Sequence, residues 1–259
     1  MTATSLDPGS IALHRRGSGP ALVLLHCLGV DHHLWDIAAA GLERAFTLLS
    51  YDFPGHHETP LPHSGYGIAE LSDQLAAVLA RAGIARAHVA GISLGGLVAQ
   101  HIAATRPALV DKLVLIDTTP RYTEDARQMW VERAAAARRD GVAALVEGLL
   151  RIWFTEDFIA ADPPAVRYVR DTLGRCSGEG YALACEALGA ADLRPLAGAI
   201  KSPTLVMCGE QELPAFQEAA RWLADAIAGA RLVWLGPARH CSILQQPEEF
   251  RRALRAFLA

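Results

Sequence analysis

The stretch His88-Val89-Ala90-Gly91-Ile92-Ser93-Leu94-Gly95-Gly96 joins a short apolar run to the start of a longer helical pattern. Glycines two residues either side of Ser93 fit a strand-to-helix turn too tight for larger side chains. Such a turn lifts the serine hydroxyl clear of a sheet. It also aims the free N–H groups of the following helix at the same spot. Gly-x-Ser-x-Gly alone is a weak pattern, and a glycine-rich turn that serves packing only is the competing explanation. With its strand and helix in place, it makes Ser93 the candidate nucleophile.

Outward from this turn, apolar runs alternate with amphipathic stretches. Ala21 to His26, Phe46 to Tyr51, His88 to Ala90, Leu113 to Ile116, Thr204 to Cys208 and Leu232 to Leu235 read as buried strands. Ile68, Leu71, Leu75, Val78 and Leu79 fall three and four apart, which predicts a helix that stops at Gly83. A second helix is expected from about Leu94 to Thr105, before Pro107. Apolar strands separated by helices predict an α/β fold whose mostly parallel sheet is covered on both faces. The rhythm breaks between about Pro120 and Arg194, where the chain is helical and alanine-rich. The expected organisation is a core of residues 1–119 and 195–259 with a helical cap over 120–194.

Composition narrows the partners. In 259 residues, 24 basic against 28 acidic side chains leave a net charge of −4 without like-charge blocks, which argues against nucleic acid or an anionic membrane. Five scattered cysteines with no Cys-x-x-Cys pair predict neither a disulfide framework nor a structural zinc site. Met1 to Gly19 lacks the apolar core of a signal peptide, and no uncharged apolar stretch reaches spanning length. The expectation is a cytoplasmic monomer or homodimer that acts on a small molecule.

A serine hydroxyl needs a base. Among ten histidines, His240 follows a strand and the short loop Gly236-Pro237-Ala238-Arg239 near the C-terminus. It completes the chain order serine, acid, histidine. The acid is expected after the Thr204–Cys208 strand, where Glu212 is the first choice and Glu210 its neighbour; Asp117, ending the Leu113–Ile116 strand, is a further alternative. Two backbone N–H groups must face the developing oxyanion. Leu94, after the nucleophile, and Leu28, in the loop His26-Cys27-Leu28-Gly29, are the expected donors.

Taken together these segments resemble the α/β-hydrolase superfamily along nearly the whole chain. The more specific resemblance is to 3-oxoadipate enol-lactone hydrolases. It is carried by Leu28 to Asp36, Tyr51-Asp52-Phe53-Pro54-Gly55-His56, Arg151 to Phe158, Ser177 to Tyr181 and Gln246 to Phe250. The resemblance implies a triad of Ser93, Glu212 and His240, oxyanion donors Leu28 and Leu94, an acyl-enzyme on Ser93, a role in aromatic degradation, and no cofactor. The chain departs from that family in having Glu212 for the usual Asp, without the Thr-Pro that follows it. Pro54 stands where Arg is common and His57 where Gly is usual, and Arg239 is an extra residue before the histidine. These differences surround the expected mouth of the site and bear on substrate more than on fold.

An enol-lactone with a carboxylate calls for a cation in the pocket. Arg121, at the hinge of the cap, is the candidate, with Trp130 and Trp153 as an apolar wall. A solvated arginine and core tryptophans are the plainer alternatives. His32, His33, His56, His57 and His63 match no usual ligand spacing, so no metal is expected. The alternative functions are a carboxylesterase on short-chain esters and a non-catalytic binding protein of the same fold.

Overall fold

The computed structural model describes Leu6 and residues 8–259. Residues 1–5 and 7, part of the segment read as lacking a signal peptide, lie outside the described residues. The strands are β1 (His14–Arg16), β2 (Ala21–Leu25), β3 (Thr47–Ser50), β4 (Ala87–Ile92), β5 (Val110–Ile116), β6 (Thr204–Gly209) and β7 (Arg231–Leu235). They form one sheet in the order β1-β3-β2-β4-β5-β6-β7, with β1 antiparallel to β3 and every other neighbour parallel. Every residue of β4 and β6 is buried, as expected of parallel strands with helices on both faces.

The apolar runs account for six of the strands. They miss β1, whose residues are polar and mostly exposed; its order comes from pairing His14, Arg15 and Arg16 with Ser50, Leu49 and Leu48. The sheet is flanked by α1 (Leu34–Ala38), α2 (Ile68–Arg81) and α3 (Leu94–Thr105). After β5 the chain leaves the sheet and builds α4 (Glu124–Asp140), α5 (Val146–Trp153), α6 (Glu156–Ala160), α7 (Pro164–Arg175) and α8 (Gly178–Ala190) before β6. The remaining helices are α9 (Pro214–Ala226), α10 (Ser242–Gln245) and α11 (Pro247–Leu258). Among the described residues no helix is long and apolar enough to cross a membrane.

The inserted helices are held at their base and along their length. Arg121 bridges Asp192, and the Leu193 N–H donates to the Pro120 carbonyl at 2.8 Å, so the outgoing and returning chains lie side by side. Thr123 caps α4, with acids in its first turn and arginines in its last, matching the helix dipole. From that last turn Arg138 grips Glu179 and Glu186 of α8.

Because β2 has β3 on one side and β4 on the other, the connections that leave the carboxyl ends of β2 and β4 diverge. In an open α/β sheet this is where a crevice forms. Leu28 follows β2 and Ser93 follows β4.

Candidate active site

Ser93 sits between β4 and α3 with φ 53° and ψ −111°, a conformation that costs a non-glycine residue on the order of 1–3 kcal/mol. Its surroundings hold it there. The Ser93 N–H donates to the Ile116 carbonyl at 2.9 Å, and its carbonyl accepts from the Thr118 hydroxyl at 2.8 Å and the Leu97 N–H at 3.1 Å. A methyl group on Gly91 would strike the Gly95 backbone, and one on Gly95 would strike the backbone of Leu25 and His26. The glycines are therefore required by close backbone approach on both sides of the serine.

His240 lies in the loop after β7. The His240 Nδ1–H donates to Glu212 Oε2 at 2.7 Å, and Glu212 Oε1 accepts the Leu213 N–H at 2.7 Å. Glu212 is almost wholly buried, and its loop is tied to the histidine loop: the Glu210 N–H reaches the Leu235 carbonyl and the Gln211 N–H the Ala238 carbonyl. Next to the histidine, the Cys241 N–H donates to the Trp153 carbonyl at 3.0 Å, and Arg239 reaches the Arg151 carbonyl. Arg239 and Cys241 thus anchor the His240 loop to the end of α5.

The two other acids stand differently. Asp117 is buried and accepts from the Gly209 N–H at 2.9 Å and from the Ser242 hydroxyl at 2.5 Å. It braces the ends of β5 and β6 against α10, and no hydrogen bond joins it to His240 among the described residues. Glu210 is exposed and turns toward Gly236. Burial works against a charged His240, but the charge and hydrogen bond of Glu212, with Asp117 behind, outweigh it and hold the imidazole above its ordinary range. Burial, followed by the negative charge of Glu212, pushes the Asp117 carboxyl up.

Ser93, Leu28, Glu212, His240, Trp130 and Trp153 all line one cavity of about 190 Å³. Leu94 opens α3, so its N–H is among those a helix leaves unpaired. The aromatic wall is closer-fitting than the two tryptophans: Phe216 of α9 meets the His240 ring edge-on at 4.9 Å, and Tyr122 stands edge-on to Trp130 at 5.2 Å. Neither Phe216 nor Tyr122 carries a sequence signal, since Phe216 reaches the cavity from the first turn of α9 and Tyr122 from the connection between β5 and α4.

Arg121 does not line this cavity. It lies in a neighbouring cleft of about 350 Å³, behind a wall shared through Tyr122 and Phe216, because its backbone is engaged in the bridge to Asp192. The cation of the cavity is Arg133. It stacks at 4.7 Å over Trp130, one turn earlier on α4, and has no carboxylate partner among the described residues. The Trp130 indole N–H beside it likewise has no acceptor among them. Spacing of three along a helix puts Trp130 and Arg133 on one face, a signal the sequence did contain.

Two further histidines brace the loop that carries Leu28. His26 gives its Nδ1–H to the Cys27 carbonyl at 2.7 Å and accepts the Phe53 N–H on Nε2 at 2.9 Å. His56 accepts the Gly29 N–H on Nε2 at 3.0 Å and gives its Nδ1–H to the Pro54 carbonyl at 3.2 Å. Both need a neutral ring, and burial pushes both down, His56 to about 4.

Comparison with known proteins adds the relationship. An alpha/beta hydrolase family model matches residues 22–253. The chain is 31% identical over 239 residues to 3-oxoadipate enol-lactonase 2 of Acinetobacter baylyi, covering 92% of this chain and 88% of that one. It is 34% identical over 251 residues to the pimeloyl-[acyl-carrier protein] methyl ester esterase of Chromobacterium violaceum, covering 93% and 95%. The crystal structure of the enol-lactonase from Burkholderia xenovorans LB400 superposes with a TM-score of 0.91 at 36% identity, covering 96% of each chain. On this match across nearly its whole length, and with the sheet order and serine turn described above, the chain belongs to the α/β-hydrolase family.

Proposed function

We infer that the protein is a serine hydrolase that opens small lactones or esters bearing a carboxylate, through an acyl-enzyme on Ser93. The observation that carries this is one cavity holding Ser93, the His240–Glu212 pair at 2.7 Å, and an arginine without a carboxylate partner. In this mechanism the neutral His240 takes the Ser93 hydroxyl proton as the oxygen attacks the carbonyl, then returns it to the departing oxygen. For a lactone that oxygen stays on the same molecule, so the ring opens before water, activated by His240, releases the acid. Glu212 fixes the imidazole tautomer and steadies the imidazolium. The N–H groups of Leu28 and Leu94 receive the oxyanion. Arg133, backed by the Trp130 indole N–H, takes the substrate carboxylate. Residues 120–194 act as the cap that supplies Trp130, Arg133 and Trp153.

The enol-lactonase relatives favour 3-oxoadipate enol-lactone as the substrate. The methyl ester esterase relative supports a second reading, a carboxylesterase. Turnover of 3-oxoadipate enol-lactone and of p-nitrophenyl acetate separates them. The first reading expects the lactone to be preferred at least a hundredfold in kcat/KM, with both activities lost in Ser93→Ala. Turnover of the ester alone would leave a serine esterase and remove the lactone.

A further inference from the structure

On the outer side of the β2–α1 connection, the fold gathers four histidines that the proposed hydrolysis does not use. His32 and His33 come from that connection, His57 from the loop after β3, and His14 from β1. One ring nitrogen from each of His32, His33 and His57 lies within 4.8 Å of the others. The His32 ring stacks on His14 at 3.6 Å, which fixes its plane.

The outer partners are arranged as those of metal-binding imidazoles are. His32 Nδ1 lies 3.0 Å from Asp52, His33 Nδ1 lies 2.6 Å from Asp36, and His57 Nδ1 lies 3.8 Å from Asp31. Asp52 and Asp36 orient the rings of His32 and His33 through Nδ1 and leave their Nε2 lone pairs free to ligate, while Asp31 lies beyond hydrogen-bond reach of His57. No Nε2 atom of the three has a partner among the described residues. His32 is buried and braced, whereas the side chains of His33 and His57 are 50% and 39% exposed. The latter two can rotate to close the nitrogens to the roughly 3.3 Å separation set by zinc–nitrogen bonds of about 2.0–2.1 Å.

The backbone adds a separate observation. His57 has φ 40°, in the left-handed region that glycine occupies at lower cost. An imidazole is kept at a strained position facing two other imidazoles, which is the kind of outlier that accompanies a site.

We propose that His32, His33 and His57 bind one divalent transition-metal ion of the zinc class, with solvent in the remaining position. Imidazole ligands suit zinc, nickel and copper. The ion staples the 29–33 segment to the loop after β3. These are the same two segments that the Gly29–His56 bond already joins beneath Leu28.

The test is titration of the tag-free, EDTA-stripped protein with Zn²⁺ by calorimetry, with melting temperature followed in parallel. Wild type is expected to take one equivalent and to melt higher when loaded. His33→Ala and His57→Gly should each weaken binding at least about tenfold and lose the thermal shift. His57→Gly relieves the strained φ, so loss of binding there cannot be put down to misfolding. Substitution with Co²⁺ should give the visible bands of a tetrahedral nitrogen-ligated ion without thiolate charge transfer, which separates this site from the five cysteines. His240→Gln should bind as wild type does. Equal affinity in wild type and both cluster variants, or a thiolate spectrum, would overturn the assignment.

Discussion

In the proposed hydrolysis the chemistry turns on Glu212, whose charge and hydrogen bond orient His240 and hold it above its ordinary range. A protonated imidazole cannot accept the Ser93 proton, so activity should rise with pH as His240 is deprotonated. Glu212→Gln removes the interaction that raises His240. Its acid limb should therefore move to lower pH while kcat falls by about 10²–10⁴. A full pH–rate profile of both proteins checks this. Arg133→Met keeps much of the stacking on Trp130 but discards the charge. It should cost about 10–100-fold in kcat/KM on a carboxylated lactone and little on p-nitrophenyl acetate. At this scale the sequence was unevenly legible. Ser93 announces itself because a strained turn demands glycines at fixed offsets, whereas Arg121 and Arg133 differ only in which way the backbone points them. That direction follows from the bridge to Asp192 and from helix phase, and the first of these is a long-range pairing that local sequence does not encode.

Elements explain why the turn and its neighbouring loops hold their shape. β4 enters the serine turn between two strands in parallel register, and α3 leaves it with Gly95 and Gly96 pressed against other atoms. Gly96→Ala would push a methyl into the Thr118 side chain, and Gly95→Ala into main chain that cannot yield. Gly95→Ala should thus give little soluble protein, while Gly96→Ala should fold with a reduced melting temperature; thermal scans of the purified variants decide it. Periodicity found the sheet and most of the helices because burial imposes the pattern that was read. β1 escaped it, since three polar residues at a sheet edge are ordered by their partner strand. The fixing of Leu28's loop by His26 and His56 escaped it too, as neutral buried histidines in loops look like solvated ones.

For the whole molecule, the buried neutral histidines tie stability to pH with a definite sign. His26 and His56 have folded values below 6.5, so the unfolded chain takes up protons first as pH falls. Their contribution is complete above 6.5 and is lost on going down toward about 4, with roughly 3 kcal/mol from His56 alone. His32 and His240 are raised, so their contributions are complete below 6.5 and fade only at higher pH, outside this window. Asp117, raised to about 7, binds a proton on folding over the same range and works in the opposite direction. The His56 contribution is therefore read by difference: between pH 6.5 and about 4, denaturant unfolding should show wild type losing more stability, or gaining less, than His56→Gln. The same fold places Ser93, the histidine loop and the inserted helices around one cavity, and the proposed function rests on Ser93 being activated there. The most direct measurement is intact-protein and peptide mass spectrometry after exposure to a fluorophosphonate. One adduct per chain, on Ser93, absent in Ser93→Ala and strongly slowed in His240→Ala, is the predicted result. An unlabelled wild-type protein, or labelling that survives in Ser93→Ala, would contradict it.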